Sequence, residues 1–168
     1  MVKTDHGDKV AMELHSGGGA KVLVIEAPYY RAITDELIAG AEAVLGAAGV
    51  GFDRIAVPGA LEIPQVFAQA CAAGKFSSGG TYAGAIALGC VIRGETSHYD
   101  IVCNNTNHWL METAIKHNIP LGNGVLTVDT EAQALARARG GAEGKGGDAA
   151  RACLRLIRTA HDFGLARP

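Results

Sequence analysis

Five consecutive residues, Gly94-Glu95-Thr96-Ser97-His98, hold most of the chemical potential of this chain. They follow a strongly apolar run and lead straight into a helical pattern. Free backbone N–H groups at a helix start, reinforced by the helix dipole, favour a phosphate, and the Thr96 and Ser97 hydroxyls add donors. Ser97-His98-Tyr99-Asp100 also has the S-x-x-D form of a helix-start box, so a plain N-cap is the competing reading. His98 falls in the first helical turn. There the positive helix end disfavours an imidazolium and leaves a neutral ring able to accept a proton. A surface histidine at a helix end is the plainer alternative.

Other chemistry-bearing residues sit at comparable breaks in the pattern. Tyr29 and Tyr30 offer a flat face for stacking a planar heterocycle, in a chain with only 5% aromatic residues. Core packing is the alternative for both rings. Glu62 stands at a helix start, where it either stabilises the helix or hydrogen-bonds a ligand. Arg137, Arg139 and Lys145 bracket a Gly-rich loop and could clamp a phosphate; a solvated loop competes. Arg151, Arg155 and Arg158 recur at helical spacing and read as a solvent face. Cys90 and Cys103 lie near the suspected site, yet neither has a local activator that would make it a nucleophile. No strand-linked GxGxxG, GxxxxGK[ST], GxSxG or HExxH is present, so the usual nucleotide, hydrolase and metal signatures are missing.

These residues must be held by secondary structure, and its order is legible. Lys21-Val22-Leu23-Val24-Ile25-Glu26 reads as a buried parallel strand, stopped by Pro28. Ile33, Leu37, Ala41, Val44, Leu45 and Ala48 follow at helical spacing, with Gly49 placed to end the helix. A second strand is expected over Phe52–Val57 and a helix over Ile63–Ala73. The run Ala83–Ile92 is the most apolar stretch and reads as a central strand. A long helix from Ser97 should stop near His117, at Asn118 and Pro120. Gly124–Val128 is a fourth strand. Thr130-x-x-Gln133 opens a short helix to Ala138, Gly140–Gly147 reads as a loop, and a last helix covers Asp148–Phe163. Strands alternating with helices predict a parallel sheet covered on both faces. Ligands of such sheets bind beyond the carboxyl ends of the strands, where all the singled-out loops converge.

Bulk properties agree. The 168 residues suit one domain, with 48% apolar residues to build a core and 23 glycines. Residues 1–20, ending in Ser16-Gly17-Gly18-Gly19, read as an N-terminal arm, and 21–168 as the α/β domain. The net charge of −2 provides no field for nucleic acid or an anionic membrane. The four dispersed cysteines, without a CxxC, suit small buried hydrophobes in a reducing cytoplasm. No signal-type apolar segment opens the chain, and no run of about 18 apolar residues could span a bilayer.

Four strings in this order and spacing, VPGALEIP, ALGCVIRGETSHYDIV, GNGVLTVDTEAQA and GKGGDAARA, resemble the 6,7-dimethyl-8-ribityllumazine synthase family over about Val22–Phe163. The resemblance implies a flavodoxin-like, doubly wound α/β/α fold with a four-stranded parallel sheet. It implies condensation of 5-amino-6-(ribitylamino)uracil with 3,4-dihydroxy-2-butanone 4-phosphate, giving the lumazine, phosphate and water in riboflavin synthesis. The substrate's own amine attacks the ketone, so no metal or cofactor is expected. His98 then matches the acid/base. Glu95 and Thr96 match the phosphate site, joined by Arg137 from a neighbouring subunit. Tyr29 matches the stacking ring. Ala60, Leu61 and Glu62 correspond to the segment holding the pyrimidine and ribityl chain, and Cys90, Val91 and Ile92 line the ring's other side. Asn123, also reaching a neighbour's site, and Lys145 complete the substrate set. Family sites lie between subunits of a homopentamer, sometimes built into a larger shell.

The chain departs from the family at three of these places. Many members carry Phe-Asn at Tyr29-Tyr30, an aromatic at Leu61 and Phe at Asn123. A ring survives at Tyr29, so stacking is expected to persist; the other two changes imply a looser site. A noncatalytic flavin- or lumazine-binding protein on the same scaffold is the alternative function. The retained His98 argues against it, because a carrier needs no proton shuttle. A flavodoxin-like signalling or binding domain is a third class; the lack of clustered acidic residues at the strand ends argues against a receiver.

Overall fold

The structure, a computed structural model, describes residues 21–165. The expected arm over residues 1–20 lies outside the described residues.

The run KVLVIE has apolar residues on both sides of its pleat and forms β1 (Lys21–Glu26), buried from Val22 onward. Beside it runs β3 (Tyr82–Ile92), whose alanines and glycines allow close cover from both faces. β2 (Gly51–Ala56) lies outside β1 and β4 (Leu121–Val128) outside β3, so the order is β2-β1-β3-β4 with every pair parallel. Five α-helices cover the sheet: α1 (Arg31–Ala47), α2 (Ile63–Ala72), α3 (His98–Lys116), α4 (Glu131–Ala138) and α5 (Lys145–Asp162).

Strand alternation sorts the core into two layers. Val22, Val24, Ile86, Leu88 and Val128 pack against Ile33, Leu37 and Leu45 of α1, Ala134 of α4 and Ala150 and Leu154 of α5. Leu23, Ile25, Ala85, Ala87 and Leu121 face the other way, onto Ile63 and Phe67 of α2 and Leu110 and Ala114 of α3. The fold is therefore the three-layer, doubly wound α/β/α sandwich. The chain winds from β1 outward to β2 and later from β3 outward to β4, on opposite faces. The direction of winding reverses between β1 and β3, and in such sheets the ligand crevice opens at that reversal.

Several boundaries differ from those the sequence suggests. β4 starts at Leu121, because Gly122 lets the Ala149 carbonyl of α5 press onto the strand. The last helix starts at Lys145 rather than Asp148. Gly146 and Gly147 are buried helix residues, packed on the Leu37 carbonyl of α1 and on Ala142, and only Gly140 and Gly141 take left-handed turn angles. Glycine served close packing there, which local composition does not distinguish from a loop. β2 is half exposed, as an edge strand with one neighbour. Gly49, Gly74 and Gly164 end their helices with positive φ as expected, and Asn118 does so after α3 with φ 53°.

Candidate functional site

The carboxyl edge of the sheet is built from four strand exits. β1 continues into a single turn of 3-10 helix, Pro28–Tyr30. The Ala27 amide donates to the Leu88 carbonyl of β3 at 2.9 Å, and the Thr34 hydroxyl donates to the carbonyls of Ala27 (3.3 Å) and Tyr30 (3.2 Å). Tyr30 packs against the core while Tyr29 is 73% exposed, their rings meeting edge to face at 5.0 Å. Core packing thus accounts for Tyr30, and Tyr29 keeps an open face.

The second exit leads to another 3-10 turn, Ala60–Glu62. The Val57 amide donates to the Glu26 carbonyl at 2.8 Å, which ties this exit to the first. Below the two loops the Glu26 carboxylate is nearly buried, and Arg54 of β2 grips both its oxygens at 3.0 and 3.1 Å. Glu62 precedes α2 but makes no capping hydrogen bond, so its carboxylate is not engaged by the helix end. A methyl on Gly89 of β3 would lie 3.5 Å from both Ala27 and Ile63, so the first two exits close over the third strand.

At the third exit Cys90 is buried and Val91 and Ile92 are half-buried. Burial, with a smaller contribution from Cys103, pushes the Cys90 thiol up to about 11, which leaves it neutral and unsuited to attack. Residues 93–98 are exposed. Ser97 makes no capping hydrogen bond; instead the Thr96 hydroxyl accepts from the His98 amide at 3.4 Å. The S-x-x-D box is therefore absent because Ser97 has helical backbone angles, with its hydroxyl not engaged at the helix end. The box at the fourth exit does form: Thr130 accepts from the Gln133 amide at 3.2 Å. There the Gln133 side chain reaches back one residue further, to the Asp129 amide at 2.9 Å.

Tyr29, Ala60–Glu62, Cys90–Ile92, Glu95, Thr96 and His98 thus share one edge. Three expected site residues do not join them within this chain. Asn123 lies in the first half of the edge strand β4, paired with Ala87, and its amide is engaged at both ends, accepting from Val125 N (3.0 Å) and donating to Asn107 Oδ1 (2.6 Å). Arg137 lies near the end of α4 and donates to the Gln133 carbonyl at 3.0 Å. The Lys145 ammonium is held by Asp148 at 2.9 Å, with Arg151 on the other carboxylate oxygen at 2.7 Å.

A cluster that no local spacing reveals surrounds Arg93. Its guanidinium donates to Asp129 at 3.0 Å, lies 3.6 Å from Asp100 and covers the Tyr99 ring at 4.1 Å. The partners come from β4's exit and from α3, and only the parallel register of Ile92 with Val128 brings them together. Among the described residues no group of three or more His, Cys, Asp or Glu side chains converges as a metal site, and no helix is long and apolar enough to cross a membrane.

Comparison with known proteins agrees with this architecture. The profile of the 6,7-dimethyl-8-ribityllumazine synthase family matches residues 19–161. A protein of that name from Azorhizobium caulinodans is 53% identical over 140 residues, 83% of this chain and 86% of the relative. One from Methylorubrum populi is 53% identical over 144 residues, covering 86% and 85%, and one from Nitrobacter hamburgensis 50% over 140 residues, covering 83% and 85%. The chain belongs to the 6,7-dimethyl-8-ribityllumazine synthase family.

Proposed function

We propose that the carboxyl edge is one half of an active site completed by a second copy of the chain. There the chain condenses 5-amino-6-(ribitylamino)uracil with 3,4-dihydroxy-2-butanone 4-phosphate to 6,7-dimethyl-8-ribityllumazine, phosphate and water, a step of riboflavin biosynthesis. The observation that carries this reading is the meeting of an exposed ring (Tyr29), a helix start that Ser97 leaves uncapped and an exposed histidine at the carboxyl edge of the sheet.

The division of labour follows from position. Tyr29 stacks on the pyrimidine, and Ala60–Glu62 with Cys90–Ile92 hold its polar edge and ribityl chain. The ketone's phosphate rests on the start of α3, against the backbone and Thr96, with Glu95 beside it. The substrate amine attacks the carbonyl and water leaves as an imine forms. His98 moves protons as phosphate is eliminated from its binding segment, and the ribityl-bearing nitrogen then closes the ring on the carbonyl so formed, with loss of a second water.

Electrostatics explains why a second copy is required. Between the third and fourth exits, Glu95, Asp100 and Asp129 are acidic, and the one permanent cation, Arg93, is matched by two of them. A phosphate dianion there needs a cation from outside. Arg137 of a neighbour supplies it, and Asn123 and Lys145 of that neighbour line the same cleft. We place the chain in the cytoplasm as a homopentamer, the ring that gives each copy one such neighbour.

The test is Arg137→Ala. Hydrogen bonds to charged groups are worth about 1.5–3 kcal/mol, or roughly 10- to 100-fold in affinity. KM for the phosphorylated ketone should rise by that factor while KM for the aminopyrimidine stays within about twofold. Equal rises in both constants would remove Arg137 from the phosphate site.

A further inference from the structure

We propose that Arg93 is a positioning residue for this reaction, a single guanidinium that clasps both ends of the exposed segment Gly94–His98. The inference rests on the reading of that segment as the phosphate and proton-transfer site.

The segment has little to hold it from within. Each of its residues is exposed, and a methyl on Gly94 would touch nothing within 4 Å. Its placement is therefore set where it enters and leaves. Arg93 is the entry, with its amide donating to the Val128 carbonyl at 2.9 Å. Tyr99 and Asp100 are the exit, and they carry the ring under the guanidinium and one of its carboxylates. The hydrogen bond to Asp129 at 3.0 Å then fixes the clasp to β4. One planar group thus bonds along one edge, pairs along another and stacks through its face. An ammonium cannot make this combination.

The clasp is separable from stability. The Arg93 side chain is 46% exposed, and exposed ion pairs contribute little to folding. Its charge is already matched by Asp100 and Asp129, so it is not a phosphate ligand in waiting. A displacement of about 1 Å at reacting groups can cost up to ~100-fold in rate. Loss of Arg93 should therefore appear in kinetics and not in the unfolding midpoint.

The experiment compares Arg93→Met, Arg93→Lys and Asp129→Asn with the wild-type oligomer. For Arg93→Met we expect about a tenfold rise in KM for the phosphorylated ketone and about a tenfold fall in kcat. KM for the aminopyrimidine and the thermal midpoint should not change. Arg93→Lys should recover only part of the loss, and Asp129→Asn, which retains the cation, should show a smaller shift of the same kind. In a His98→Ala background, Arg93→Met should lower kcat far less than in wild type, because the two act on one step. Hydrogen exchange across residues 93–100 should quicken in Arg93→Met while peptides of β1 and β3 keep wild-type rates. Kinetics within twofold of wild type, an additive effect with His98→Ala, or unchanged exchange in this segment would overturn the inference. If Arg93→Met does not fold, wild-type kinetics in Asp129→Asn would overturn it as well. Absent wild-type turnover would refute the functional reading instead, and the exchange experiment would still decide the clasp.

Discussion

Mixing two impaired variants should restore activity if the site spans two copies. Asn123 stands five residues before Val128 on β4, about 17 Å from the carboxyl edge at roughly 3.3 Å per residue. Arg137 lies six residues into α4, about 9 Å along its axis from Glu131 at 1.5 Å per residue. The proposed site therefore takes His98 from one copy and Arg137 from the next. Each pure oligomer of His98→Ala or Arg137→Ala lacks one group at every site. In oligomers assembled from equal amounts of both chains, half the copies offer His98 and half of their neighbours offer Arg137. About one quarter of the sites are then intact, and turnover should return to about 25% of wild type. The assay is the initial rate of lumazine formation at saturating aminopyrimidine and a phosphorylated-ketone concentration well below the wild-type KM, where loss of Arg137 lowers the rate, after co-expression or joint refolding and with the pure variants as controls. A rate no higher than the mean of the two parents would refute the shared site and return Arg137 to a surface role.

Two further outcomes follow. His98→Ala should lower kcat by about 100-fold or more, while riboflavin or product binding, followed by fluorescence quenching, stays near wild type; unchanged turnover would remove His98 from proton transfer. Asp148 tests the α5 start. Burial raises its carboxyl, but hydrogen bonds from Lys145 and Arg151 outweigh this and hold it below the usual carboxylate range. A depressed folded value stabilises the protein above the unfolded value near ~3.9, and the gain vanishes as pH falls through the folded value. Asp148→Asn should therefore cost about 1 kcal/mol at pH 7, and denaturant midpoints should converge with wild type as pH falls from about 4 through the folded value. A gap that does not narrow at all as pH falls below about 4 would assign the loss to packing.

The chain reveals its strands and helix stops because those features are local. An uninterrupted aliphatic run such as Val22–Ile25 has few alternatives to a buried strand, and glycines at positions 49, 74 and 164 mark helix ends by the angles they adopt easily. His98, Tyr29 and Glu62 were visible for the same reason, each a polar or aromatic residue just past a strand. Long-range geometry was hidden. Gly146 and Gly147 look like a loop until Leu37 and Ala142 are placed against them. Ser97 fits a capping box, but its backbone angles shift the only side-chain hydrogen bond at that turn to Thr96. The Arg93–Asp129 pair joins residues 36 apart, and no periodicity predicts a contact made by strand register. The bonds that hold the Asn123 amide, to Asn107 sixteen residues back and from the Val125 amide, likewise have no local signature.

The central claim is tested most directly by turnover. Purified wild-type protein is mixed with 5-amino-6-(ribitylamino)uracil and 3,4-dihydroxy-2-butanone 4-phosphate, and lumazine absorbance and released phosphate are followed together. The substrates also react slowly unaided, so the same mixture without protein sets the baseline. Lumazine and phosphate formed in equal amounts, at a rate above that baseline and proportional to protein, is the predicted result. A folded oligomer that adds nothing to the baseline would contradict it.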